Sequence, residues 1–211
     1  VAKDTGYLGT FTPSVANQTT DDGAGTINWN FTVADSAVDY LAKGQTLTQT
    51  YTVTVNDAQS GIASRDVVIT IAGTNDAPVI TSSTQAGTVT EDAATAGLSA
   101  DGTITFTDVD VSNTHTVTYE ITSSTADSEN PLGSFTLGVT TTPTVNGAGG
   151  ARTWNYAIDN AKADYLAQGE SVTEVYTVTV TDKDGLTDTQ AVTITIAGTN
   201  DAPVITSSTQ A

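Results

Sequence analysis

Residues 71–86 read Ile71-Ala72-Gly73-Thr74-Asn75-Asp76-Ala77-Pro78-Val79-Ile80-Thr81-Ser82-Ser83-Thr84-Gln85-Ala86, and the same stretch returns letter for letter at 196–211, 125 residues later. Identity at a fixed period marks a tandem array of supersecondary units. At its centre Thr74-Asn75-Asp76-Ala77-Pro78 is copied by 199–203. An apolar run (Val67, Ile69, Ile71) leads in and another (Val79, Ile80) leads out, with Gly73 and Pro78 as brackets. The stretch reads as the last strand of one unit, a short stiff linker and the first strand of the next.

Working outward, one full period runs from 77 to 201 and contains seven alternating apolar segments. They lie at 79–90 (weakly alternating, broken near Gly87), 102–107, 116–121, 134–139, 153–158, 172–181 and 190–197. Trp154, Tyr156 and Ile158 share one face, as do Tyr176, Val178 and Val180, and Val192, Ile194 and Ile196. A period of two with β-branched and aromatic residues, broken by turn residues, specifies strands. Seven short strands in a domain of this size predict an antiparallel β-sandwich of immunoglobulin-like type. One segment departs from that pattern. The Ala-rich 160–167, ended by Gly169, predicts a helical turn crossing between sheets, with Tyr165 or Leu166 closing the core.

The first 76 residues hold only part of this unit. Leu8-Gly9-Thr10-Phe11 matches Leu132-Gly133-Ser134-Phe135, Trp29 matches Trp154, Asp39-Tyr40-Leu41-Ala42 matches 164–167, and 51–55 matches 176–180. Nothing in 1–76 matches 87–121, so the last four strands alone are expected there. The chain opens in mid-repeat and reads as an excerpt. The expected domains are a truncated repeat at 1–76, a complete repeat at 77–201 and the start of a third at 202–211. The truncated half is expected to be marginally stable or completed by pairing with another chain.

The chain carries 24 acidic against 6 basic residues, a net charge of −18. That balance disfavours nucleic acid and anionic membranes as partners. No apolar run is long enough to span a bilayer, so membrane insertion is not expected. No signal peptide is recognisable at the start. Cysteine is absent, which removes disulfides and thiol chemistry. The excess acid either solubilises the chain or awaits a multivalent cation, and spacing decides between them. With strands running alternately down and up, the loop holding Asp108 and Asp110, the loop holding Asp182 and Asp184, and the entering linker with Asn75 and Asp76 meet at one end. Oxygens from three distant segments suit Ca²⁺, which takes six to eight of them. The other end gathers Glu91, Asp92, Asp159, Asp164 and the leaving linker with Asn200 and Asp201. Single Asp and Asn residues populate loops simply as turn formers. Clustered like charges, however, are costly without a counter-ion. A local site in the stretch with Asp182, Asp184 and Asp188 remains a further possibility, but it lacks EF-hand spacing.

Taken together these motifs resemble the VCBS repeats of bacterial RTX-type surface adhesins. The resemblance rests on Val89-Thr90-Glu91-Asp92, Phe106-Thr107-Asp108-Val109-Asp110, Thr114-His115-Thr116-Val117, Trp154-Asn155-Tyr156, Tyr165-Leu166-Ala167, 176–184 and Gly198-Thr199-Asn200-Asp201. It covers 87–201 and most of 1–76. It implies a cadherin-like fold with calcium-binding linkers, type I export to the cell surface, and a stalk function in adhesion and biofilm formation with neighbouring repeats as partners. Glu91, Asp108, Asp110, Asn200 and Asp201 are similar to cadherin calcium motifs. The first unit departs from the pattern, since Asp182-Lys183-Asp184-Gly185 becomes Asp57-Ala58-Gln59-Ser60.

His115 is the sole histidine, so a catalytic triad or zinc site lacks partners and a packing or capping role at the third strand is expected. Trp29 and Trp154 are read as core residues rather than a sugar platform. No phosphate loop or nucleophile elbow occurs. The expectation is a non-enzymatic extender. A carbohydrate- or protein-binding module, or an accessory domain of a secreted enzyme, are the competing readings.

Overall fold

A computed structural model describes residues 6–17, 25–57, 59–92, 97–127, 130–142, 150–203 and 205. The described residues form twelve β-strands and two single 3-10 turns. They fall into two compact units, one comprising Val1–Asp76 with Val109–Ser112, the other Ala77–Asp108 with Asn113–Ala211.

The second unit is the complete sandwich. Its strands are β5 (Val79–Ile80), β6 (Gln85–Thr90), β7 (Leu98–Thr107), β8 (His115–Ser124), β9 (Ser134–Thr142), β10 (Gly150–Ile158), β11 (Ser171–Asp182) and β12 (Thr187–Ala197). One sheet has the order β5-β7-β10-β9 and the other β6-β12-β11-β8. The weakly alternating segment 79–90 is therefore two strands. β5 pairs with β7 and β6 runs parallel to β12, so the chain switches sheets across 81–84. Every other pairing in this unit is antiparallel. The remaining strands sit where the alternation put them, extended by one to four residues at their ends.

The core lies between the two inner faces, where Ile104, Phe135, Trp154, Tyr156, Tyr176, Val178, Val192 and Ile194 pack together. Phe135 stacks on Tyr176 with centroids 4.5 Å apart and on Trp154 at 5.8 Å. Trp154 fits because glycine lies over it twice. A Cβ on Gly87 would lie 3.1 Å from its ring, and one on Gly102 would lie 2.6 Å from it. The indole Nε1 donates to Gln85 Oε1 at 3.0 Å. The crossing after β10 is a short 3-10 turn, Asn160–Lys162, rather than a longer helix. Leu166 closes the core there together with Ala163, and Tyr165 faces solvent.

The first unit contains two hairpins, β1 (Thr10–Asn17) with β2 (Thr26–Thr32) and β3 (Thr46–Asn56) with β4 (Ile62–Ala72). They correspond to the last four strands of the complete unit. The internal packing is repeated as well, with Phe11 stacked on Tyr51 at 4.5 Å and on Trp29 at 5.6 Å. What differs is the cover. Trp29 was expected in a core and is instead 49 % exposed, where its counterpart Trp154 is 1 % exposed. In the complete unit β6 and β7 supply the glycines over the indole, and no described residue of the first unit takes their place.

The turn after β3 keeps its form despite the changed sequence. Asp57 Oδ1 accepts from the N–H groups of Gln59 (2.8 Å) and Gly61 (2.9 Å), and these bonds hold its carboxyl below the ordinary value of 3.8. Asp182 Oδ1 does the same for Asp184 (2.8 Å) and Leu186 (2.9 Å). The left-handed position is Gly185 at φ +96° in one turn and Ser60 at φ +76° in the other. Glycine takes that conformation without strain, and serine does not.

Candidate functional site

The complete unit gathers oxygens at two ends, and strand direction decides which residues go to which. Asp182 ends β11 opposite His115, which begins β8. His115 Nε2 lies 2.7 Å from Asp108 Oδ2, and Asn113 Nδ2 donates to the same oxygen at 3.4 Å. Asp108, Asn113 and Asp182 are buried. Asp184 sits in the turn that follows Asp182, where it pairs with Lys183. Thus Asp108, Asp182 and Asp184 share one end, as the alternating strand directions predict. The histidine belongs to this end, packed 5.2 Å from the Phe106 ring. The entering strand starts there too, since Val79 pairs with Thr107. Asp188 Oδ2 accepts from Ile80 N at 2.7 Å, so this carboxylate anchors the incoming backbone.

Asp110 and the linker residues Asn75 and Asp76 group with the first unit. Asp110 is buried, and its Oδ2 accepts from Asp76 N at 3.0 Å. These residues are 34 positions apart in sequence, so the loop carboxylate fixes the linker backbone.

At the opposite end of the complete unit, β6 delivers Glu91 directly into protein. Its N–H donates to Ala197 O at 2.9 Å, and its Oε2 accepts from Thr199 N at 2.8 Å. The residue is 1 % exposed, and Oε1 has no hydrogen-bond partner among the described residues. Asp92 follows with φ +57°. Asn160 Oδ1 accepts from Asp92 N (2.8 Å), while Asn160 Nδ2 donates to Asp92 Oδ1 (2.7 Å) and Asp164 Oδ1 (3.1 Å). Asp159 caps the 3-10 turn by accepting from Ala161 N at 3.3 Å. Asn200 and Asp201 stand exposed on the leaving linker just after Thr199.

Among the described residues no group of three or more Asp, Glu or His side chains is already drawn together as a metal cage. The donor chemistry nonetheless fits a hard cation at the Glu91 end. A buried carboxylate oxygen without a partner carries a desolvation cost that a bound cation removes. Carboxylates at Asp92, Asp159 and Asp164 and the linker oxygens of Asn200 and Asp201 lie in segments attached to that end. Sequence reasoning missed Asn113 and Asn160. Asn160 meets Asp92 across 68 positions of sequence, a pairing that no local spacing signals.

Glu174 is a second buried carboxylate, but a satisfied one. It accepts from Leu132 N at 2.6 Å and from the Tyr176 hydroxyl at 2.8 Å. In the first unit Gln49 takes its place and bonds both the N–H and the carbonyl of Leu8. This pair of contacts pins the start of the β9 or β1 hairpin to the facing sheet, a structural role.

No family model matches the chain, and no curated protein matches it. Solved structures do. The CooA pilin subunit from enterotoxigenic Escherichia coli aligns over 60 % of this chain and 100 % of its own length, at 10 % identity and a TM-score of 0.40. Mouse clustered PcdhgC3 EC1-3 aligns over 93 % of this chain and 54 % of its own, at 15 % identity and 0.38. Protocadherin gammaB7 EC3-6 aligns over 90 % of this chain and 41 % of its own, at 14 % identity and 0.41. The chain spans about half or less of the two protocadherin fragments. The all-β sandwich assignment rests on the sheets described above. No described helix is long and apolar enough to cross a membrane.

Proposed function

We propose that the chain is a non-enzymatic extender segment of a large bacterial surface adhesin, with Ca²⁺ stiffening the joints between successive repeats. The observation that carries this reading is the buried Glu91 carboxylate, whose Oε1 lacks a hydrogen-bond partner among the described residues, where the linker leaves the sandwich. Glu91, with Asp159, Asn200 and Asp201, would hold the ion from the leaving end of one repeat. Residues of the Asp108, Asp110, Asp182 and Asp184 type, with Asn75 and Asp76 on the linker, would serve the entering end of the next. Bound calcium supplies positive charge to a chain of net charge −18. Extracellular calcium modules work with dissociation constants on the order of 0.1–1 mM. A strand of about ten residues spans roughly 33 Å, so each repeat adds a few nanometres of reach. The resemblance to VCBS repeats supports the surface location and the export route.

Small-angle scattering with calcium and with chelator tests the reading. The maximum dimension is expected to shorten and the profile to broaden on chelation. An unchanged profile would contradict calcium-dependent stiffness.

A further inference from the structure

The first and last long strands of the complete unit lie side by side and run the same way. β6 pairs parallel with β12, Gln85–Thr90 against Val192–Ala197. The entering linker leads into the start of β6 by way of β5, and the leaving linker continues from the end of β12. In a parallel pair the start of one strand and the end of the other stand at opposite ends of the ladder. Tension between the two linkers therefore draws β6 and β12 in opposite directions along their length. The ladder is loaded in shear, and its bonds share the load. The β11–β12 hairpin is the contrary case. It is antiparallel, Ser171 faces Ala197, and a pull that parts these two ends breaks it one pair at a time.

Side chains extend this ladder beyond both of its ends. Ahead of β6, Gln190 of β12 holds the segment where the chain switches sheets. Its Nε2 donates to Ser82 O at 3.1 Å and to Ser83 O at 2.9 Å, and its Oε1 accepts from Ser82 Oγ at 2.6 Å. Two positions earlier, Asp188 Oδ2 accepts from Ile80 N at 2.7 Å. After β6, Glu91 N donates to Ala197 O at 2.9 Å and Glu91 Oε2 accepts from Thr199 N at 2.8 Å. Ile80 with Asp188, Ser82 with Gln190 and Glu91 with Thr199 are each 108 positions apart. A constant offset is what a parallel arrangement gives, so the two segments are tied side by side from 80 to 91 and from 188 to 199.

We infer that the complete unit bears tension along the chain, with the β6–β12 ladder as its mechanical clamp and Gln190, Asp188 and Glu91 as latches at the two ends of that ladder. Load arriving at Val79 passes to β12 through the Ile80 and Ser82 bonds before it reaches Gln85. It leaves through Ala197 and Thr199, where Glu91 holds the far end. Resistance to force follows the unfolding rate rather than equilibrium stability. The same fold is therefore harder to open along its linkers than across its hairpin. This role deepens the extender reading and rests on it for the source of the load. The clamp itself consists of hydrogen bonds between protein groups and needs no calcium.

Single-molecule force spectroscopy on the full chain tests this, with chelator present so that no bound ion contributes. The chain has no cysteine, so introduced thiols fix the pulling points. Ala77→Cys with Ala202→Cys loads the linkers, and Gln168→Cys with Ala202→Cys parts β11 from β12. All three positions are exposed. The unfolding force along the linkers is expected to be higher by about twofold or more, because the ladder bonds share the load in one geometry and fail in turn in the other. Gln190→Ala is expected to lower the force along the linkers and to leave the force across the hairpin unchanged. Equal forces on the two axes with Gln190 intact would overturn the inference. So would a Gln190→Ala change that lowers both axes alike, the sign of a merely structural role. Neither result bears on calcium stiffening of the joints, which scattering with and without the ion reads separately.

Discussion

Trp29 and Trp154 hold the same place in the repeat, 125 residues apart, yet the first is 49 % exposed and the second 1 %. Each stacks on an equivalent phenylalanine at nearly the same distance, 5.6 Å for Phe11 and 5.8 Å for Phe135. The local geometry is thus set by the hairpins, and the burial by β6 and β7, which have no counterpart among the described residues of the first unit. Trp154→Ala is expected to destabilise the second unit by about 3–5 kcal/mol, the usual cost of emptying a large core site. Trp29→Ala is expected to cost about 1 kcal/mol or less, mainly its stacking. Hydrogen exchange during denaturant unfolding, followed separately in β11–β12 and β3–β4, measures both.

Glu174 and Gln49 do the same work with different charge. Glu174→Gln is therefore expected to change stability by under about 1 kcal/mol, because the acceptor for Leu132 N survives. Glu174→Ala leaves that N–H without a partner and is expected to cost about 1–3 kcal/mol. Equilibrium unfolding of the two variants checks the contrast. Equal losses would show that the charge, not the acceptor, matters.

Burial, reinforced by the neighbouring Glu174 carboxylate, pushes the Tyr156 and Tyr176 phenols well above their ordinary value of 10.0. A raised pKa means the folded state keeps protons that the unfolded chain releases. Their contribution to stability is therefore complete below pH 10 and declines as pH rises beyond it. Ultraviolet titration of the phenolates is expected to show exposed tyrosines ionising first and these two only with unfolding. Smooth ionisation of all seven tyrosines in a folded chain would contradict this.

Much of this was legible in the sequence because alternation reports burial directly. Trp154, Tyr156, Ile158 and the β11 and β12 valines lie where a period of two puts them. The split of 79–90 into β5 and β6 was only hinted at by the weak alternation near Gly87. The exposure of Trp29 could not be read from its own alternation, since that pattern describes a face and not what covers it. In the complete unit the cover comes from glycines on other strands, Gly87 of β6 and Gly102 of β7. At the ends of the sandwich, strand direction sufficed to join Asp108 with Asp182 and Asp184. The roles of Asp188 and Asn160 depend on backbone groups far away in sequence, Ile80 N and Asp92 N, which no spacing rule exposes.

The calcium account depends most directly on Glu91. Calorimetric titration of the full chain with Ca²⁺, beside Glu91→Gln, tests it with circular dichroism as the control for folding. The account predicts saturable binding with a dissociation constant on the order of 0.1–1 mM and at least a tenfold loss in the folded variant. No heat of binding in the original chain, or identical isotherms for the two proteins, would contradict it.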